Sequence, residues 1–433
     1  MNLKNIPKIF KAIFLGKHIR EVSFGSGSTT WKECSIILAS LLFSRKGITE
    51  GEDIKKYEEE FATYLGVRYV FSFGAGRMAF YAILKSMGIK EGDEVILPGY
   101  TCVVVPNAII YCGARPIYVD IDPTTLNIDV NKIEKEVTPR TKVIYAQHTF
   151  ASFCDMSAIS DIAKRHNLKI IEDCSHALGA EYNGKKAGMF GDAAYFTTEQ
   201  SKIISTGMGG MAITNDKEIA ARMREIQTKS GFYDEKTIKK MVLQIVLYNI
   251  LNHPFIRFVG KYVVRMLSKL DFFIQSTSEE EIKGKRPKEY PVRLSNIQAK
   301  IGLSQLRNVD RNLEHRRKIA RFYRKSLKEL GYKIPENDDR RFKSSYIRYW
   351  SLVENREKLK ELFRSDGIEL GEWFNCPIHP RGSASNNLFY QKGSCPIAEY
   401  VAEHNVNLPT HLKISTRDAN RIIKVLRDYA SKN

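Results

Sequence analysis

Four features of the chain have residue types and spacing that could do chemistry together. Lys202 lies in "YFTTEQSKIISTGMGGMAITND", after a short apolar run and before a turn containing Gly207, Gly209 and Gly210. Most lysines are solvated. One held in a partly buried site has its ammonium form disfavoured, and its amine becomes a nucleophile toward aldehydes. Asp173 closes the apolar run "KIIED". Ahead of a helix, an aspartate commonly serves as the N-cap; buried, it needs a cation, and a protonated pyridine nitrogen is one. "FGAGRMAF" sets Gly74 and Gly76 at a strand-to-helix turn. That is either a plain tight turn or an anion site, in which the free N–H groups of the helix start act with the fixed charge of Arg77. Thr197 offers a hydroxyl near the same point. An aldehyde-binding lysine, a carboxylate for a pyridinium and a phosphate cradle are the three handles of pyridoxal 5'-phosphate (PLP).

The elements that must position these groups can be read from residue 50 onward. "YVFSF", "EVILPG", "PIYVDID", "KVIYAQH", "KIIED" and "AAYFTT" are short apolar runs, most of them separated by helix-like segments such as "GRMAFYAILKSMG" and "MSAISDIAKRHN". Fully apolar strands alternating with helices indicate an α/β unit with a mainly parallel sheet covered on both faces. Ligands of such sheets bind beyond the carboxyl ends of the strands, where Asp173, His148 and Thr197 fall. After residue 292 one or two long helices lead to a strand, "YIRYWSLV", and a closing helix, "STRDANRIIKVLRDYA", which read as a smaller α+β domain.

The 433 residues are too many for one ordinary domain and suit two. A net charge of +19 favours anionic ligands or surfaces. No zinc-finger spacing and no aromatic-plus-basic RNA signature is present, so nucleic acid is not expected. The seven cysteines form no C-x-x-C pair, which argues against a metal site or a disulfide framework and for a reducing, cytoplasmic location. The first twenty residues interleave charges with apolar pairs, unlike a signal peptide. No segment reaches the roughly 18 unbroken apolar residues of a spanning helix.

With those residues in hand, the sequence resembles the DegT/StrS family of PLP-dependent sugar aminotransferases. The resemblance is carried by "GDEVILPGYT", "GARPIYVDIDPTTLNID", "EDCSHALGAEYNGKKAGMFGDAAYF", "SKIISTGMGGMAITND", "RLSNIQAKIGLSQL" and "CPIAEYVAEHNVNLPTH". It implies an aspartate aminotransferase-like fold, with a PLP-binding large domain over residues 48–305 and a smaller C-terminal domain over 306–433. Residues 1–47 form an N-terminal basic, amphipathic arm. Carried over by position, Lys202 resembles the lysine that bonds the cofactor, and Asp173 the partner of its ring nitrogen. His176 falls near the cofactor's phenolic oxygen. Thr197 and the turn at Gly76 and Arg77 fall at its phosphate. The resemblance also implies a homodimer, an amino donor (typically glutamate) and a keto-sugar acceptor, usually nucleotide-linked, in polysaccharide or amino-sugar biosynthesis. Arg293, Glu372 and Trp373 fall where the substrate cleft is expected; for Arg293 a surface ion pair is an equal reading.

Several departures accompany it. Cys102 stands where an aromatic ring commonly stacks on the cofactor, with Tyr100 as an alternative stacking group. Pro291 replaces an asparagine that reaches the partner's phosphate, leaving Arg77 to compensate. An insertion at about 234–288 has no counterpart in the family. Within it, Arg257, Lys261, Arg265 and Lys269 recur at helical spacing opposite Phe258, Tyr262, Val263, Met266 and Leu270. This pattern is read either as packing against a partner subunit with a solvated basic stripe, or as a peripheral anchor over residues 236–274 on the inner membrane face. Two rival functions follow: an aminotransferase for a lipid-carried or other keto compound, and a non-catalytic membrane-associated or regulatory binding protein.

Overall fold

The apolar runs assemble into one seven-stranded sheet. Its strands are β1 (Tyr69–Phe73), β2 (Glu94–Pro98), β3 (Arg115–Val119), β4 (Thr141–Gln147), β5 (Lys169–Asp173), β6 (Ala193–Thr197) and β7 (Gly210–Thr214), in the order β1-β7-β6-β5-β4-β2-β3. The computed structural model describes residues 20–25, 27–43, 47–269, 272–335, 341–383 and 388–431. β7 runs antiparallel to both neighbours, and every other pairing is parallel. Side chains alternate across the pleat, so Val143 and Tyr145 join one core cluster while Ile144 and Ala146 join another. Both faces are therefore buried, which is why the strands read as nearly unbroken apolar runs.

The helices that matter for the site are α1 (Trp31–Phe43), α2 (Gly76–Ser86), α3 (Glu235–Leu251), α4 (Arg257–Lys269), α5 (Asn296–Leu306), α6 (Val309–Glu329) and α7 (Thr416–Ala430). α5 packs in the large domain, and α6 carries the chain into a smaller unit. There β8 (Arg348–Leu352) pairs antiparallel with β9 (Asn405–Pro409). Tyr323, Tyr349, Phe363, Val406 and Ile422 form its core. α7 is held at its start by a capping box between Ser415 and Asp418.

The described part of the N-terminal segment is tied to this smaller unit. Val22 is in its core, Arg20 pairs with the buried Asp418 at 2.5 Å, and His411 Nε2 donates to Ser23 O at 2.7 Å. Of the amphipathic stretch ending at Arg20, only Arg20 lies among the described residues.

The insertion forms α3, α4 and a short helix at Glu279–Ile282. α3 buries Ile238, Met241, Val242, Ile245 and Val246, four of which share a cluster with residues of α1 and α5. α4 differs from its sequence reading. Arg257 pairs with Glu369 at 2.5 Å and Lys261 pairs with Glu21, so the first half of the basic stripe grips the protein. The apolar residues Val259, Tyr262 and Met266 face outward. The side chains of Phe258 and Leu270 lie outside the described set. Among the described residues no helix is long and apolar enough to cross a membrane.

Candidate active site

One cavity opens at the carboxyl end of the sheet, lined by residues that the strands deliver there: Gln147 from β4, Asp173 from β5, Thr197 from β6, and Ala75 and Gly76 from the β1–α2 turn. Because β7 is antiparallel, Gly209 enters at the same end, and the loop joining β6 to β7 carries Lys202 across it.

Lys202 is 6% exposed. Burial chiefly, aided by the charge of Arg348 and opposed by Glu199 and Asp173, brings its pKa from 10.5 down to about 8. Its Nζ lies 4.7 Å from the centre of the Trp373 ring. The loop beneath it is fixed by a backbone hydrogen bond from Lys202 N to Glu199 O at 3.0 Å and by Ser28 Oγ donating to Lys202 O at 3.0 Å. A buried amine near neutrality is the nucleophile that aldehyde capture needs.

Asp173 is buried at the end of β5. Its Oδ1 accepts from Ser175 N at 2.8 Å, and its Oδ2 accepts from the Tyr145 hydroxyl at 2.5 Å. The Tyr145 hydroxyl also lies 2.6 Å from that of Tyr195. No cation pairs with Asp173 among the described residues, and the carboxylate lines the cavity, as a partner for a pyridinium must. His176 stacks on Phe150 with ring centres 5.4 Å apart, and its Nδ1 accepts from Phe150 N at 3.3 Å. Burial first, then the charges of Lys202 and Arg348, hold His176 neutral.

The phosphate end is built by close approach. A Cβ on Gly76 would stand 2.6 Å from Thr197 Cβ, and one on Gly210 would stand 2.5 Å from Ala75 O. Only glycine lets the start of α2 settle against β6 and β7 in this way. No side chain caps α2 at Ala75, so its first N–H groups are free for an anion. Lysine, aspartate and anion cradle share one cavity, and the residue set fits PLP.

Three sequence expectations need correction here. Arg77 lines the cavity, but its charge is matched by the buried Glu281 of the insertion, and Nη1 donates to Ser276 O at 2.7 Å. It is not a free phosphate ligand. Arg293 lies outside the cavity, stacked on Phe232 at 4.6 Å. Glu372 is also outside, paired with Arg356 and Lys360. Trp373 and Cys102 do line the cavity, with Phe374 beside them. Tyr100 does not: its hydroxyl donates to Phe374 O at 3.0 Å inside the core.

The cavity also holds groups that the sequence did not announce. Tyr195 was hidden inside an apolar strand, as was Tyr145, which stands behind the cavity wall on Asp173. Ser276 and Thr277 come from the unmatched insertion, and Glu199 from the lysine loop. A buried trio of His148, Glu172 and Cys174 has metal-ligating types. Its carboxylate, however, already accepts from Gly188 N, Phe190 N and Gly191 N, with His148 Nε2 3.0 Å away. It is a structural knot under β5.

The profile described as the DegT/DnrJ/EryC1/StrS aminotransferase family matches residues 37–427. GDP-perosamine synthase of Caulobacter vibrioides is 33% identical over 380 residues, 87% of this chain and 90% of that protein. The dTDP-3-amino-3,6-dideoxy-alpha-D-galactopyranose transaminase of Aneurinibacillus thermoaerophilus is 31% identical over 88% of this chain and 90% of its own length. Among solved structures, DesV of S. venezuelae superposes with a TM-score of 0.73 at 25% identity, covering 92% of this chain and 94% of that one.

Proposed function

The chain belongs to the DegT/DnrJ/EryC1/StrS aminotransferase family, and from that premise we propose that it moves an amino group from glutamate to the keto group of a sugar carried on a nucleoside diphosphate, with PLP bound at Lys202. The observation that carries the proposal is Lys202 itself, a buried amine with a pKa near 8 in one cavity with an unpaired aspartate and an uncapped helix start. PLP, when bound, supplies an electron sink for the carbanion at the amino-bearing carbon.

The protein's own groups do the rest. Asp173 would hold a proton on the ring nitrogen by its charge, and the Tyr145 hydroxyl fixes that carboxylate. The start of α2 and Thr197, whose hydroxyl donates to Gly209 O here, would hold the phosphate. Neutral His176, stacked on Phe150, lines the cavity that would receive the cofactor. Lys202 Nζ takes the proton from the donor carbon as general base and returns it as general acid. Trp373 and Phe374 add aromatic wall to the cavity. The relatives named above act on GDP- and dTDP-linked sugars by their names, and a net charge of +19 suits a diphosphate. The proposal includes a homodimer in the cytoplasm, in keeping with seven free cysteines.

The test has two parts. Purified protein is expected to show the visible band of bound PLP and to lose it in Lys202→Ala. Mass spectrometry after incubation with glutamate and a panel of GDP- and dTDP-keto sugars is expected to find an amino sugar. A coloured enzyme inert toward every nucleotide sugar would move the acceptor to a lipid-carried keto compound. A colourless protein that PLP cannot reconstitute would favour the binding-protein reading.

A further inference from the structure

The insertion brings to the cavity two hydroxyl groups that the fold leaves unused. Ser276 and Thr277 line the cavity from the segment that leads into the short helix at Glu279–Ile282. Neither hydroxyl has a hydrogen-bond partner among the described residues. The hydroxyl of the next residue is engaged: Ser278 Oγ caps the short helix, accepting from Glu281 N at 3.2 Å. Thr277 is half-buried and Ser276 exposed, so both stay open to a ligand.

The two residues are fixed in place by Arg77. Ser276 O accepts from Arg77 Nη1 at 2.7 Å, and Arg77 is the second residue of α2. Glu281 pairs with the same guanidinium and accepts from Ser278 N at 2.9 Å. Arg77 O in turn accepts from the Tyr290 hydroxyl at 3.0 Å. The guanidinium is thus a strut from the first turn of α2 to the insertion, and Thr277 lies between its two points of attachment. Its charge is matched by Glu281, yet its reach sets Ser276 and Thr277 beside the start of α2.

The other hydroxyls of the cavity are occupied. Thr101 Oγ1 donates to Gln147 Oε1 at 2.6 Å, and the Tyr195 hydroxyl lies 2.6 Å from that of Tyr145. Thr197 Oγ1 donates to Gly209 O at 3.2 Å and must give up that bond to donate to an anion. Ser175 belongs to the opposite end, with its N–H on Asp173 Oδ1 at 2.8 Å. A phosphate ester carries up to two negative charges and three strong acceptor oxygens, so donors beyond the N–H groups of α2 have a place there.

We propose that the Ser276 and Thr277 hydroxyls are ligands of the cofactor's phosphate, and that the insertion thereby completes the phosphate cradle from within the same chain. This rests on the PLP reading above and deepens it. Arg77 is a positioning residue in this arrangement: with Glu281 it holds the two hydroxyls at the cradle without meeting the anion itself. The insertion is then a cofactor-binding element.

The experiment compares PLP with pyridoxal, which has the same ring and aldehyde but no phosphate. Full-length protein stripped of cofactor is titrated with each, and the visible band is followed. Ser276→Ala combined with Thr277→Val is expected to weaken PLP at least tenfold, as the loss of hydrogen bonds to a charged group implies, and to leave pyridoxal unchanged. Thr277→Ser keeps the hydroxyl and is expected to match the wild type. Neither side chain forms part of the latch, so the double variant should melt with the wild type; if it does not fold, Thr277→Val alone must show the same selective loss. Equal PLP affinity in wild type and variants would overturn the proposal. So would a parallel loss of PLP and pyridoxal, which marks a packing role. Calorimetric titration of the PLP-loaded protein with GDP and dTDP adds a third arm: a fall there with PLP unaffected would give the hydroxyls to the acceptor and overturn the proposal. A wild type that forms no band with PLP overturns the parent reading, whereas one that forms it and is matched by the variants overturns this one alone.

Discussion

At the scale of single residues the chemistry turns on how far burial shifts an amine. Lys202 in the folded protein titrates near 8, against 10.5 when solvated, chiefly because burial disfavours its charge. Between those two values the unfolded chain holds the proton that the folded chain has released, so this group makes folding more favourable as pH rises through the window. Below about 8 both states are protonated and the full burial penalty stands. PLP-free protein is thus expected to capture PLP faster as pH climbs through about 8 and to level off above it, as followed by stopped-flow absorbance. Lys202→Met should raise the melting temperature at pH 7, by an amount that shrinks toward pH 10. A pH-independent difference would contradict a neutral buried amine. Lys202, Asp173, Thr197 and Gly76 were legible because each ends or follows an apolar run, and in a parallel sheet those ends converge. Tyr145 was not, because a tyrosine inside "KVIYAQH" reads as core until β4 and β5 are set side by side.

At the scale of elements the insertion is part of the site and not an appendage. Its return segment is latched beside the cavity by several bonds. Asn107 Nδ2 donates to Glu281 O at 2.7 Å, the Tyr111 hydroxyl donates to Lys285 O at 2.7 Å, and Gln244 bonds both to and from Ile274. The Arg77–Glu281 pair joins this latch to the first turn of α2, and both side chains are largely buried. Removing one charge from such a pair leaves the other unpaired in a low-dielectric setting, which costs about 3 kcal/mol. Glu281→Gln is therefore expected to lower stability by about that amount and to weaken PLP, whereas Arg77→Met with Glu281→Leu should recover most of the stability. Denaturant melts of the wild type and the two variants measure this, and equal losses in the single and double variants would refute the pairing. The sequence misread Arg77 for a physical reason. A charge at a helix start looks like an anion ligand unless its partner is known, and Glu281 lies far along the chain in a segment with no family pattern to locate it. The sheet, by contrast, was legible strand by strand, since burial on both faces writes itself as continuous apolar runs.

At the scale of the whole molecule the distribution of exposed apolar side chains asks for a cover. Trp31, Leu42 and Phe43 on α1 are 61%, 70% and 84% exposed, and Val259, Tyr262 and Met266 project outward from α4. α1 and α4 both pack on α3, so the two sets flank one buried helix. The basic residues that would meet lipid headgroups are only half available, because Arg257 and Lys261 are held by Glu369 and Glu21. An apolar surface with half of its neighbouring cations already neutralised fits a protein partner better than an anionic bilayer, where free cations supply much of the attraction. A second copy of the chain is the partner that the homodimer reading supplies, and a two-fold interface needs only one self-complementary patch. The full-length protein is accordingly expected to sediment as a dimer and to remain in the dense fraction when mixed with anionic vesicles at low salt. Introducing charge on both helices, with Phe43→Glu and Met266→Glu together, should yield monomers that keep the PLP band. Flotation of the wild type with the vesicles, lost in the same double variant, would instead assign this surface to the membrane and make a lipid-carried acceptor the better account of the chemistry.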